Sequence, residues 1–244
     1  MLLLSMSPSE LYKNLTLDEK KIDIERRKVE PKVVKKFKKT VKFPALELVK
    51  YTIPASRNSY ILYFYAENRL VAEKPVFDVF AVLPIKDDRV IIKWGLSPYQ
   101  HNSSGPFIVT PKVDLYSNHV FQRYNERILK NPALSIDEVI CRYFRKNTQF
   151  LLMKLNEDIK RDYQEYGETA YGMKVRDGIC LGHVVVDGYF DEDSQTEKVD
   201  AIGCICCPFI DHNTLEESQN DAIEKENIRY LDEIFEGLKN NTKR

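Results

Sequence analysis

The segment 117–127, SNHVFQRYNER, spaces His119, Arg123 and Arg127 four residues apart. On an α-helix this spacing sets the three on one face, with Val120, Phe121, Tyr124 and Ile128 on the other. An imidazole beside two guanidiniums suits phosphodiester chemistry. Histidine takes up or gives a proton near neutral pH. Arginine grips phosphate oxygens in a bidentate fork and offsets the charge that builds in the transition state. His119, Arg123 and Arg127 are therefore the candidate catalytic set of a metal-independent, ribonuclease-like phosphodiesterase, which would also need a second acid or base. Arg142, Arg145 and Lys146 follow on the next helical segment as candidate phosphate-binding residues, and over 119–146 six bases face three acids. The same stripe also suits plain ion pairing of the arginines with Glu126, Asp114 or a strand edge.

Other chemistries lack their residues. Cys204, Cys206, Cys207 and His212 invite a zinc reading, but no second Cys-x2-Cys pair exists to close a tetrahedral site. In an apolar strand, AIGCICCPFI, these thiols read as core. No G-x-G, Gly-Lys-Ser/Thr, G-x-S-x-G or H-E-x-x-H occurs, which removes the dinucleotide fingerprint, the P-loop and two hydrolase signatures. No metal and no cofactor is expected. With 9 glycines in 244 residues, any phosphate would be held by side chains or helix ends.

The formal net charge is zero, 37 bases against 37 acids, which excludes a uniformly basic nucleic-acid binder. The charges are separated along the chain, however. Residues 20–42 hold eleven bases and three acids, and residues 187–244 hold fifteen acids and six bases. Val33, Phe37 and Val41 fall at i, i+4, i+8 among the lysines, as in a basic amphipathic element. Such an arm suits RNA or another anionic partner. It equally suits a non-enzymatic interaction module binding an acidic protein, or docking on the chain's own acidic end.

The elements that would position these groups follow from caps and periodicity. Ser/Thr followed three residues later by Glu occurs at Ser7…Glu10, Thr16…Glu19, Ser135…Glu138 and Thr214…Glu217, each a capping box that would start a helix; Pro31 is expected to stop the second. Aromatic and β-branched runs over 44–113 predict an antiparallel meander, residues 117–166 a helical segment with breaks near Pro132 and Asn147, and Asp177-Gly178 a hairpin within a sheet over 170–210. A C-terminal helix is expected over 215–239. The order predicts an α+β fold: antiparallel sheet or sheets, a central helical segment, and helices at both ends. Residues 1–43 read as a basic helical extension and 44–244 as one domain. Five cysteines argue against a disulfide framework, and no apolar run approaches the length of a membrane span. No signal-peptide core precedes Pro8, so the expected compartment is a reducing cytoplasm.

The stretch TPKVDLYSNHVFQRYNERIL, the second helix EVICRYFRKN and the later DGICLG together resemble a group of uncharacterised bacterial proteins. Its members pair an H-x3-R-[YF]-x2-R helix with a downstream D-G-x-x-L-G hairpin. The resemblance covers roughly residues 107–210 and implies a shared domain with no assigned activity. A His/Arg helix ahead of an antiparallel sheet is also similar to compact ribonuclease-toxin folds. Those place a Ser or Thr on a late strand, where this chain has Cys206-Cys207-Pro208.

Overall fold

A computed structural model describes residues 1–86, 88–99, 108–147, 151–154, 171–191 and 196–211. Its first helix, α1 (Pro8–Lys39), starts where the Ser7…Glu10 box predicts: Ser7 caps the Glu10 amide, Glu10 reaches back, and Pro8 occupies the first turn. It then runs 32 residues without a break. Thr16…Glu19 is not a helix start, and Pro31 does not end one. Leu11, Leu15, Asp18, Ile22, Val33 and Phe37 make one buried stripe that spans both positions. Pro31 is on the exposed side, where water can reach the Arg27 carbonyl that loses its amide partner. Burying Val33 and Phe37 beyond it is worth about 1.5–3 kcal/mol each, enough to offset the proline cost of about 3.

Five strands follow as a meander: β1 (Ala45–Thr52), β2 (Ser59–Ala66), β3 (Val76–Ile85), β4 (Asp88–Tyr99) and β5 (Ile108–Ser117). β2, SYILYFYA, is nearly continuous in both apolarity and burial, as expected of a strand covered on both faces. The chain then makes α2 (Asn118–Tyr124), a π-helical turn (Asn125–Leu129) and α3 (Ile136–Lys146). The Ser135…Glu138 capping box opens α3 as expected. The breaks expected near Pro132 and Asn147 separate α2 from α3 and end α3, but the helix expected to resume before 166 is corrected at Leu151–Lys154, which is a strand, β6. β7 (Tyr171–Val175) and β8 (Gly178–Asp191) form the hairpin turned at Asp177-Gly178, and β9 (Thr196–Asp211) completes the sheet. The Thr214 box and the helix expected over 215–239 lie outside the described residues.

The nine strands among the described residues form one sheet in the order β1-β2-β3-β4-β5-β9-β8-β7-β6. The fold is α+β, but its sheet is mixed rather than wholly antiparallel. β5 and β9 run parallel from Lys112↔Ile202 to Tyr116↔Cys206, and every other neighbouring pair is antiparallel. That parallel seam joins the two meanders. α1 packs on one face, over Tyr60, Leu62, Ile92 and Val113. α2 and α3 cover the other, where Tyr116, Phe121, Tyr124, Tyr143, Phe144 and Phe209 meet largely edge to face, with centroids 5.1–6.2 Å apart. Among the described residues no helix is long and apolar enough to cross a membrane.

Candidate functional site

The structure brings His119 and Arg123 together and holds Arg127 elsewhere. Both His119 and Arg123 sit on α2, with Arg123 Nε 3.4 Å from His119 Nε2. Arg123 also pairs with Glu126 at 2.8 Å on the exposed surface. Past Tyr124 the backbone widens into the π turn, which ends with Lys130 in the left-handed region (φ 50°) and its amide bonded to the Asn125 carbonyl at 2.6 Å. The i, i+4, i+8 spacing of an α-helix does not carry through such a turn. Arg127 instead donates to the Phe209 carbonyl at 3.1 Å and lies 3.9 Å from Asp211, tying the turn to the end of β9.

The second basic set is engaged separately. Arg145 lies over the Tyr65 ring at 5.1 Å, and Lys146 lies 3.9 Å from Asp177. Arg142 is close enough to oppose the upward shift that burial imposes on Tyr65 and Tyr124. Tyr124, at the end of α2, donates to Asp177 at 2.6 Å, and the Asp177 amide donates to Asn147 just past α3 at 3.0 Å, so the ends of both helices are tied to the β7–β8 turn.

The basic arm is a packed helix with one open side. Its apolar positions Val33 and Phe37 are buried against Ala45, Phe64 and Ala66, while Val41 lies beyond the helix and is exposed. Its first turn meets the acidic end of the chain: Ser9 bonds Asp187 through both its amide, at 3.1 Å, and its hydroxyl. The basic half pairs with other acids, Lys36 with Glu47 and Lys38 with Glu73. On the outer side stand Lys28, Lys32, Lys35 and Lys39, all exposed. At 100° per residue these fall within an arc of about 60°, and Lys42 follows just past the helix.

A third arrangement was not anticipated. β3 pairs with β4 only from Ala81↔Ile92 to Ile85↔Asp88. β3 stays paired to β2 as far as Val76, and β4 to β5 as far as Tyr99, so the two strands diverge. A side-chain ion pair stands in for the missing ladder. Lys93 Nζ meets Asp78 at 2.5 Å and donates to the Val79 carbonyl at 2.9 Å, while the Val79 amide donates to Asp78 at 2.7 Å. The Tyr63 hydroxyl donates to the other Asp78 oxygen at 2.7 Å, and burial followed by that carboxylate raises its pKa. Cavities of about 290 and 280 Å³ open on either side of the split, sharing Asp78, Lys93 and Trp94.

Beside the larger cavity lies a second pair, Lys112 and Asp114, 2.8 Å apart and both under a tenth exposed. Burial and the Asp114 carboxylate push the neighbouring Cys204 thiol up to about 12, with Lys112 acting against them. The available signal was a charged residue inside an apolar strand, in PVFDVFAV, VIIKWG and PKVDLY. Among the described residues no cluster of three or more His, Cys, Asp or Glu is placed to hold a metal. No family model matches the chain, no curated protein matches it, and no solved structure matches it.

Proposed function

We propose that the protein binds a nucleic-acid backbone along the outer, basic side of α1. The observation that supports this is the division of labour on the helix. Its apolar stripe is used up by the sheet, and lysines 32, 35, 39 and 42 remain exposed with no ion-pair partner among the described residues. A stripe of one sign on a rigid helix concentrates field where a polyanion can lie along it. Lysines near the C-terminus also favour the helix itself through its dipole, an effect confined to the last turn, which accounts for Lys39 but not for Lys32 and Lys35.

The expected behaviour is weak, sequence-independent and strongly salt-dependent binding. Four lysines contacting a single strand give a slope of log K against log salt of about −3. Fluorescence anisotropy with a labelled single-stranded RNA measures it. The triple variant K32E/K35E/K39E should lose detectable binding. Equal binding by that variant overturns the reading, as does binding of an acidic protein segment with none of RNA. The ribonuclease-like chemistry concerns the same polymer and, with Arg127 engaged by β9, rests on His119 and Arg123; it is supported by their contact. Its test is cleavage of the RNA in chelator, lost in His119→Ala. The resemblance to the bacterial group carries no activity, so both readings stand on geometry alone.

A further inference from the structure

We propose that the larger recess at the β3–β4 split binds a small zwitterion, a free α-amino acid or a compound with a carboxylate and an ammonium a few bonds apart. The first observation is Gly95. It sits inside β4, directly across from Lys112, and a Cβ built on it meets nothing within 4 Å. Glycine weakens a strand interior and usually marks a bulge or a close approach by something else. The sheet itself makes no close approach here. The missing side chain opens the floor of a recess of about 290 Å³.

The second observation is the charge around that floor. Asp78, Lys93, Lys112 and Asp114 make two ion pairs, both with partly or largely buried side chains. Their charges cancel, so a simple anion or cation meets as much repulsion as attraction. A neutral dipole with both signs close together meets complementary groups at each end, its carboxylate toward the ammoniums and its ammonium toward the carboxylates. Removal from water strengthens each contact. A planar base is less well served. The Phe144 ring already carries Lys93 Nζ at 5.3 Å, and Tyr116 is only 3% exposed. The site lies on the α3 face of the sheet, opposite α1, and is independent of the helix reading.

The experiment is a thermal-shift and calorimetric titration of the full chain with the twenty L-amino acids, alongside inorganic phosphate, methylammonium and cytidine. At least one amino acid should bind saturably and raise Tm by roughly 2–4 °C. Its N-acetyl and methyl-ester derivatives, each lacking one charge, should bind at least tenfold more weakly. Gly95→Val should abolish binding, because it fills the recess with a strand-favouring side chain, and should leave Tm without ligand unchanged or higher. K112M/D114L removes one pair as a unit and keeps the result interpretable if Gly95→Val fails to fold. The proposal is overturned if no amino acid binds, if binding survives either variant, or if phosphate or cytidine saturates the site in place of amino acids.

Discussion

Replacing Asp18 with alanine should cost about 4 kcal/mol of stability. Asp18 is 2% exposed and fastens the N-terminal third of α1 to the β1–β2 turn and the start of β2. Its Oδ2 accepts from Ser56 Oγ at 2.8 Å, Asn58 Nδ2 at 2.7 Å and Tyr60 Oη at 2.9 Å. Asn58 in turn accepts the Leu2 amide at 2.7 Å, so the chain start hangs on the same hub. Alanine strands two buried donors, on Asn58 and Tyr60, at about 1–3 kcal/mol each, and frees a third on the half-buried Ser56. Asparagine keeps the size and one acceptor but loses the charge, so about half that loss is expected. Urea unfolding followed by the single tryptophan and by far-UV circular dichroism measures both. A loss below 1 kcal/mol in Asp18→Ala, or a wild-type value in Asp18→Asn, would refute the reasoning. The pH dependence supplies a sign. Burial pushes the Asp18 carboxyl up, but the hydrogen bonds from Ser56, Asn58 and Tyr60, with Lys21 nearby, hold it below its ordinary value. A carboxyl depressed in the folded state contributes stability in full above its unfolded pKa of about 3.9, and loses it as pH falls through the folded value. The gap between wild type and Asp18→Asn should therefore be flat from about pH 5 to 8 and shrink below about pH 4.

Gly182→Ala should lose at least ~2 kcal/mol, because its Cβ would lie 1.9 Å from the Ile205 carbonyl oxygen; unchanged denaturant midpoints would show that β8 shifts freely. Arg127→Ala should destabilise by roughly 1 kcal/mol through its lost bond to β9, whereas His119→Ala, at an exposed position, should stay within about 0.5; the reverse order in urea titrations contradicts the assignment of Arg127 to structure. Cys141, Cys180, Cys204 and Cys206 are buried, and burial heads the causes that raise Cys141 and Cys204. Iodoacetamide should label these four only after denaturation, and peptide mapping that finds rapid native labelling of any of them would mean the strands or α3 open readily.

Much of the architecture was legible because its signals are local. Ser7…Glu10 and Ser135…Glu138 are complete within four residues, and Asp177-Gly178 within two. Thr16…Glu19 shows the limit: the same pattern has no effect when a buried stripe continues through it. Pro31 failed as a stop for the same reason, since Val33 and Phe37 find partners only once the sheet exists. The π turn, which parts Arg127 from His119, has no pattern that distinguishes it from an α-helix in advance. The Asp78–Lys93 and Lys112–Asp114 cluster was invisible for a different reason. Its members stand on three strands and meet only through register, so their spacing along the chain carries nothing. The parallel β5–β9 seam joins segments about ninety residues apart, and no local signal announces it.

The place of β9 also bears on how the chain is made. It is the last described strand to leave the ribosome, yet it belongs between β5 and β8 rather than at a margin. Until residues 196–211 emerge, β5 offers the bare backbone of Lys112–Tyr116 to whatever strand comes near. A nascent or truncated chain that stops short of β9 therefore holds two half-sheets with complementary, unprotected flanks. Pairing between such chains is the predictable failure. Premature termination should thus yield insoluble material rather than a smaller folded unit.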